Sequence, residues 1–589
     1  MSPKNFTTYN GFFINHDFDV YKIIDDIVPA NHQQMSMGSY AESNMLEGTR
    51  VRYYDKKSLT EKFFLPEGVN GFYYECKPEI DLRVLFDIRR EYDRRHFGKF
   101  YSVFDLGDKI IVKFRKVTDE KEDESQGIEE YYMYVVIASN NGLKWKGPDN
   151  RFVPRSYELD AERGDSSERH VYDPLIIKSS KLVIAASTDF YSAIHEADFL
   201  LDNESRLKLQ AEKRIESFPN LFQNPGKLNH KKIDIIDMET VARAYKHSQN
   251  ALSGFKCNIH HFTGLYAGFP WFFQYWSRDE GISLKALQYI EEFEFAKQIL
   301  CSRLFIKDDG RISSRYPESQ LGTADGAGWI FKRAYDFIEF LDEFELECIK
   351  NRLEKSIKLI EKNYMRNGLI YNHAKETWMD TEFMGDNREG FRIEIQALQL
   401  QMYKLAHVLT GKKIYQSKEQ KLADKVRKNF YNGSYLADGK GDFTIRPNVF
   451  LAYYIYPELL KDSQWENCFE RLLSRLWLDW GGLTTIDKTH SLYMPHYSGL
   501  DNRSYHRGNS WYFVNHLAAI AMYDLNVKRF KPYIEKILVA SSNQIIHQGV
   551  IGYCAEVSSS RSRESHGAMA QLWSTATYLE LLHKIFGLE

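Results

Sequence analysis

The chain is poor in the features that mark special classes of protein. It has six cysteines in 589 residues (Cys76, Cys257, Cys301, Cys348, Cys468, Cys554), widely scattered and none in a CxxC or Cys/His cluster. That spacing suggests neither a disulfide framework nor a zinc site, and we expect six reduced, mostly buried thiols. Excess charge of one sign is also missing: 78 basic against 81 acidic side chains give a formal net charge of −3. There is then no electrostatic case for nucleic acid or an anionic membrane as partner. No run of about 18 uncharged apolar residues occurs, and the start MSPKNFTTYN has no apolar h-region. These absences point to a cytoplasmic protein. No sequence period repeats, which argues against an open solenoid. The acidic run Asp119–Glu124 reads as a solvated loop. What is abundant is aromatic: 15% of the chain, with 38 Tyr, 38 Phe and 10 Trp. Tyr and Trp join stacking surface to a polar handle and suit ligand grooves.

At this length more than one domain is expected. Up to about residue 190 the apolar pattern is short and alternating. FYYEC (72–76), LRVLFDIR (82–89), KFYSVFDL (99–106), KIIVKF (109–114), YYMYVVIA (131–138) and KLVIAAS (181–187) read as strands. Strands without intervening helices predict an N-terminal antiparallel β-sandwich over 1–190. Residues 191–235 read as a charged helical linker with little core, broken at Asn224-Pro225-Gly226. From 236 to 589 the period is helical, with about eleven candidate helices. They fall near 238–252, 281–304, 326–343, 345–364, 390–411, 416–431, 447–459, 463–477, 509–525, 528–547 and 567–586. Short and long connections alternate, which suggests helical hairpins closed into a ring, with functional loops at one end.

The long loops carry polar residues that a core would not accept. Residues 267–287 (AGFPWFFQYWSRDEGISLKAL) place Trp271, Phe272, Phe273, Tyr275 and Trp276 before an Arg278–Asp279 pair at a helix start. Flat aromatics beside fixed polar groups are what a polyhydroxylated ring needs, although an aromatic core segment with a capping ion pair fits equally. Further on come Arg315, Glu318, Asp325 and Trp329. Then follow Trp378, Asp380, Glu382, Asp386, Arg388, Arg392 and Glu394. Arg446-Pro447-Asn448 opens a helix. His506, Asn509 and Trp511 lie in the next loop, and Glu556, His566, Gln571 and Trp573 in the last. No His/Asp/Glu set has metal spacing, so no metal or cofactor is expected.

Cleaving a glycosidic bond takes two carboxyl groups on opposite faces of the sugar, one protonated and one ionised. Apolar neighbours keep the acid protonated, and Asp380 follows Trp378-Met379. Glu556 lies between a Cys-Ala step and a serine run, where it can be solvated and hydrogen-bonded. Each carboxylate taken alone also reads as a helix cap or surface charge.

Taken together, the segments over about residues 255–586 resemble the glucosidase domain of glycogen-debranching enzymes, the amylo-α-1,6-glucosidase family. They are more distantly similar to glucoamylases. AGFPWF…WSRD, RYPE…TADGAGW, TWMD, GFRIEIQAL, RPN, YHRGNSW and CAEV…HGAMAQLWS look like family motifs in family order. The resemblance implies an (α/α)6 toroid, the six-hairpin glycosidase fold, with its pocket at one end. It implies that Arg278 and Asp279 bind hydroxyls of the terminal glucose, that Asp380 is the general acid and that Glu556 is the base of an inverting reaction. Trp271, Trp276, Asp325, Trp378, Arg388, Glu394, His506 and Trp511 would line the pocket. Glucoamylases place an acid Glu directly after Trp, whereas here Met379 intervenes, and that keeps Glu382 as a rival to Asp380. Bifunctional debranching enzymes also carry a large amylase-type barrel, which the N-terminal region is too short to hold, so transferase activity is not expected. Prokaryotic members carry an Arg-Lys-Tyr-His-Gly type of motif that this N-terminal half lacks; NMLEGTRVRYYDKK stands in its place.

The expected activity is exo-acting, inverting release of glucose from glycogen-like α-glucans, at α-1,6 branch stubs. The alternatives are an α-1,4 hydrolase of the glucoamylase kind and an enzyme for a small α-glucoside such as isomaltose or trehalose. A phosphorylase is disfavoured because phosphate would be repelled by Glu556. From another class, a non-catalytic glucan-binding protein would keep the aromatics without turnover.

Overall fold

The structure, a computed structural model, describes all residues except 1–13, 16–20, 31–35, 44, 55–56, 91–96, 119–128, 165, 223–232, 234–236, 260–261, 317, 319–320 and 588–589. The start MSPKNFTTYN, the acidic run 119–124 and the Asn224-Pro225-Gly226 break therefore lie outside the described residues. The chain divides into two compact units, residues 1–217 with 257–262, and residues 218–256 with 263–589.

The first unit is built on a 13-stranded antiparallel sheet. Its spine is one 20-residue strand, Gly71–Arg90, where the sequence suggests two. Of the residues between those two runs, Lys77 to Glu79 are exposed and Ile80 and Asp81 half-buried, so polarity there marks a wet stretch of strand and not a break. One half of the spine pairs with Lys57–Phe64, the other with Tyr21–Pro29, and Ile176–Ser187 runs along both. Strand alternation sorts side chains by face. In Glu129–Ala138, Tyr131, Met133, Val135 and Ile137 enter the main core, while Val136 points to the opposite face. Among the described residues no helix contributes to the main core, and the sheet covers its own apolar face. Besides the short α1 (Glu158–Glu162), the unit contains α2 (Phe190–Ser217), which lies on the opposite face. The charged composition of α2 suggests little core, yet Ala193, Ala197, Leu200 and Leu207 are buried against Phe64, Tyr73, Ile111 and Val136. Small residues let the helix approach closely, and they carry little signal in a hydrophobicity pattern.

The second unit is helical. Its helices are α3 (Met238–Ser253), α4 (Ser277–Ser283), α5 (Phe293–Ser302), α6 (Gly326–Asp336), α7 (Glu343–Tyr364), α8 (Ile393–Thr410), α9 (Lys413–Phe430), α10 (Asn448–Ile455), α11 (Asp462–Leu476), α12 (Tyr512–His547) and α13 (Leu572–Phe586). The stretch expected as one helix over 281–304 is instead α4, a 3-10 turn (Leu284–Ile290) and α5. Helix α12 is broken at Asn526, whose backbone is extended, so it acts as two helices, as the sequence pattern suggests.

Packing follows burial. Helices α8, α10, α13 and the first half of α12 are buried nearly all round, while α7, α9 and α11 bury one face. The buried set forms a closed circuit: α4 on α6, α6 on α8, α8 on α10, α10 on α12, α12 on α13, and α13 back on α4. Glycines permit the tightest approaches. A Cβ on Gly328 of α6 would lie 2.6 Å from Leu398 Cβ of α8, and one on Gly281 of α4 would lie 2.7 Å from Trp329 Cβ of α6.

The C-terminal ends of these inner helices meet in a buried ionic cluster. Arg333 donates to the carbonyls of Gly281 at 2.7 Å and Ile282 at 2.9 Å, and to Tyr454 Oη at 2.9 Å. Glu580 accepts from Tyr454 at 2.6 Å and Lys285 at 2.9 Å. Cations at helix C-termini complement the dipole. Removing one member leaves buried charge unpaired, so Glu580→Gln is expected to cost about 3 kcal/mol of stability, read as a lower denaturant midpoint with an unchanged slope. Three cysteines are buried and three are half-buried; all six are free. Among the described residues no helix is long and apolar enough to cross a membrane.

Candidate active site

The opposite, N-terminal ends of the inner helices carry the polar residues singled out in sequence. Arg278 and Asp279 lie in the first turn of α4, and Asp325 immediately precedes α6. Glu394 is in the first turn of α8, Asn448 opens α10, and Trp511 and Gln571 immediately precede α12 and α13. Cross-links between helices draw these ends together. Arg278 Nε donates to Asp325 Oδ2 at 2.7 Å, and its Nη1 reaches Asp380 Oδ2 at 3.3 Å. Gln571 Nε2 donates to Asp279 Oδ1 at 3.2 Å. Asp325 is steadied by Thr323 Oγ1 at 2.8 Å.

Asp380 keeps 37% of its side chain exposed, while its neighbours Thr377, Trp378 and Met379 are buried. Partial burial of the carboxyl raises its pKa from the ordinary value, against the pull of Arg278 and with a further push from Asp325. The platform beneath it is rigid. Trp378 Nε1 donates to Asn448 Oδ1 at 2.7 Å, and Asn448 Nδ2 donates to Asp438 at 2.7 Å. Trp378 packs edge-on against His506, Trp511 and Phe513. After Asp380 the chain is pinned again: Arg446 and Arg507 both bond to Asp386 Oδ2, at 2.8 and 2.6 Å.

Glu556 is 2% exposed, so it is not the solvated group its serine-rich surroundings suggest. Hydrogen bonds take the place of solvent. Tyr505 Oη donates to Oε1 in a short bond, and the Ala568 N–H donates to Oε2 at 2.8 Å. Gly567, at φ +69°, passes so close that a Cβ would lie 2.1 Å from Oε2. Any side chain there would displace the carboxylate. Asp380 and Glu556 belong to one electrostatic site: both raise the pKa of the buried Asp279 carboxyl, after burial itself, and both raise that of Tyr505. Loss of the tyrosine hydroxyl would remove one charge-assisted bond from Glu556.

His506 Nδ1 shares a hydrogen bond with Thr381 Oγ1 at 2.7 Å, and its ring stacks on Trp511. Burial holds it well below the usual histidine range, and Arg507, Arg446, Arg278 and Arg388 add to the effect. Its Nε2 is buried without a protein partner among the described residues, as are both amide atoms of Asn509, Gln571 Oε1 and Trp573 Nε1. Buried polar atoms without partners are costly unless a ligand or water meets them.

Several sequence expectations are redistributed. Arg388 and Glu394 lie against each other, with Arg388 Nε and Glu394 Oε2 buried without a hydrogen bond among the described residues. They form a buried ion pair, and Arg388 also contacts Asp438, which reaches Trp378 through Asn448. Trp378 and Trp511 are 2% exposed, with their N–H groups spent on Asn448 and the Tyr505 carbonyl. They hold the floor and expose little stacking surface. Trp271 is buried, and Trp276 is half-buried with the Arg315 guanidinium 5.6 Å from its ring centre. Glu382 is exposed, and Arg278 bonds to Asp380. Tyr505 and the Gly567-Ala568 step emerge as site components only in the structure. Their position beside His506 and His566 is the one sequence signal they give.

The chain is a glycoside hydrolase with a glucoamylase-like fold. It is similar to a bacterial glucoamylase determined in complex with acarbose, at 11% identity and a TM-score of 0.65, covering 99% of this chain and 94% of that one. A wild-type glycosidase is also similar, at 12% identity and a TM-score of 0.45, covering 60% of this chain and 99% of its own. No curated protein matches in sequence. The model for amylo-alpha-1,6-glucosidase matches residues 241–580, and the chain belongs to that family.

Proposed function

We propose that the protein is an exo-acting, inverting α-glucosidase that releases glucose from glycogen-like α-glucans by hydrolysing α-1,6 branch stubs. The catalytic domain, residues 236–589, is an (α/α)6 toroid, a reading supported by the closed circuit of inner helices. Residues 1–190 form a β-sandwich beside it in sequence. The observation that carries the proposal is the contrast between the two carboxyl groups. Asp380 is partly open and pushed toward its protonated form, whereas Glu556 is enclosed with both oxygens accepting from donors.

In this reading Asp380 gives its proton to the glycosidic oxygen as the bond to the anomeric carbon breaks. Glu556 takes a proton from a water that attacks that carbon from the opposite face. Arg278 steadies Asp380, and Asp279 faces the sugar hydroxyls from the first turn of α4. A fold relative that binds acarbose supports an oligosaccharide ligand.

The test is glucose release from phosphorylase-limit dextrin, isomaltooligosaccharides and maltooligosaccharides, with Glu556→Gln as blank. The fastest release is expected from limit dextrin. Faster release from maltooligosaccharides would assign the enzyme to α-1,4 linkages, with the same site.

A further inference from the structure

The strand Lys99–Asp105, KFYSVFD, is an outer edge of the sheet and is bonded to one neighbour, Lys109–Thr118. The Val117 N–H donates to the Gly98 carbonyl at 2.9 Å, and the Leu106 N–H to the Lys109 carbonyl at 2.9 Å. In an antiparallel pair this fixes alternate residues as hydrogen-bonded partners. Phe100, Ser102 and Phe104 therefore aim their backbone groups at the neighbour. Lys99, Tyr101, Val103 and Asp105 aim theirs outward, where no hydrogen bond reaches them among the described residues.

Proteins usually protect such an edge with proline, a bulge or an outward lysine. This strand has no proline, and its register runs without a shift. The Lys99 ammonium is turned onto Asp87 at 2.8 Å. Instead of protection, the strand and its flanks expose large apolar groups: Phe97 at 43%, Phe100 at 57%, Phe104 at 45% and Leu106 at 47%.

We propose that this edge pairs antiparallel with the same strand of a second copy, so that one sheet runs through a two-fold homodimer. Centred on Ser102, the register matches outward residues to outward residues. Tyr101 pairs with Val103 of the partner subunit, and Lys99 with Asp105 of the partner subunit. Phe100 then lies against Phe104 of the partner subunit in the closer, non-hydrogen-bonded type of pair, twice by symmetry. The mirror order of the segment identifies the occupant: the register that pairs every outward backbone group also sets each exposed phenylalanine against one of the other copy. A self-complementary patch of this kind is what an isologous contact requires. A slip of two residues would leave a phenylalanine of each copy unpaired.

The experiment is sedimentation-velocity mass determination of the full chain over about 1–100 µM, a range that spans micromolar dissociation constants. The wild type is expected at twice the 69.2 kDa chain mass. Val103→Pro removes one outward N–H without touching the bonds to the neighbouring strand, and Phe104→Lys places a charge in the apolar pair. At least one of these, folded by circular dichroism, is expected at the single-chain mass. A wild type that stays monomeric throughout, or a dimer that survives both substitutions, would overturn the proposal.

Discussion

Glu556→Gln is expected to lower kcat for glucose release by about 10³-fold while leaving KM close to wild type. The amide keeps the shape of the carboxylate but cannot take a proton from water. Its surroundings are fixed by the Tyr505 hydroxyl, the Ala568 N–H and the close passage of Gly567, so the replacement has little room to relax. Binding of sugar, measured by titration calorimetry with a non-hydrolysed analogue, should persist. A variant that retains more than about a tenth of wild-type kcat would remove Glu556 from the role of base.

Asp380→Asn is the second large effect, again about 10³-fold in kcat for a natural glucan, because the amide has no proton to give the leaving oxygen. The environment that raises the Asp380 pKa also makes a prediction about stability. A carboxyl group whose folded pKa lies above its unfolded value binds its proton more tightly when folded. Its contribution is therefore full below the unfolded pKa and is lost as pH rises through the folded one. At neutral pH the ionised group is a burden on the fold that asparagine lacks. The variant should melt at a higher temperature than wild type at pH 7, and the gain should shrink as the pH is lowered toward the ordinary carboxylate range. Activity and stability thus move in opposite directions at one residue, as expected where a site holds a group in an unfavourable environment. Loss of activity with an equal or lower melting temperature at pH 7 would contradict the electrostatic description of Asp380.

Much of the architecture is legible in the sequence because side-chain period reports burial. The switch from alternation to a helical period separates the sheet from the helices, and the pairing of short with long loops anticipates which helix ends carry polar residues. The failures have physical reasons. Lys77 to Glu79 look like a turn because they face solvent in the middle of a long strand. Helix α2 looks surface-bound because alanines do much of its packing. Within the site, Asp380, Glu556 and His506 stand out as polar residues in runs that no core would choose. Arg388 and Glu394 stand out equally and are bonded to each other. A sequence does not show which of its charges pair with one another. Tyr505 has the opposite problem: an aromatic beside a histidine reads as ordinary core until its hydroxyl is seen on Glu556.

The most direct measurement of the central claim is time-resolved proton NMR of the first glucose released from an α-1,6-linked glucan stub. Asp380 as acid and Glu556 as base, on opposite faces of the sugar, predict that β-glucose appears first and mutarotates slowly toward the equilibrium mixture. Initial release of α-glucose would mean retention through a covalent intermediate and would contradict an inverting reaction with Glu556 as the base that activates water.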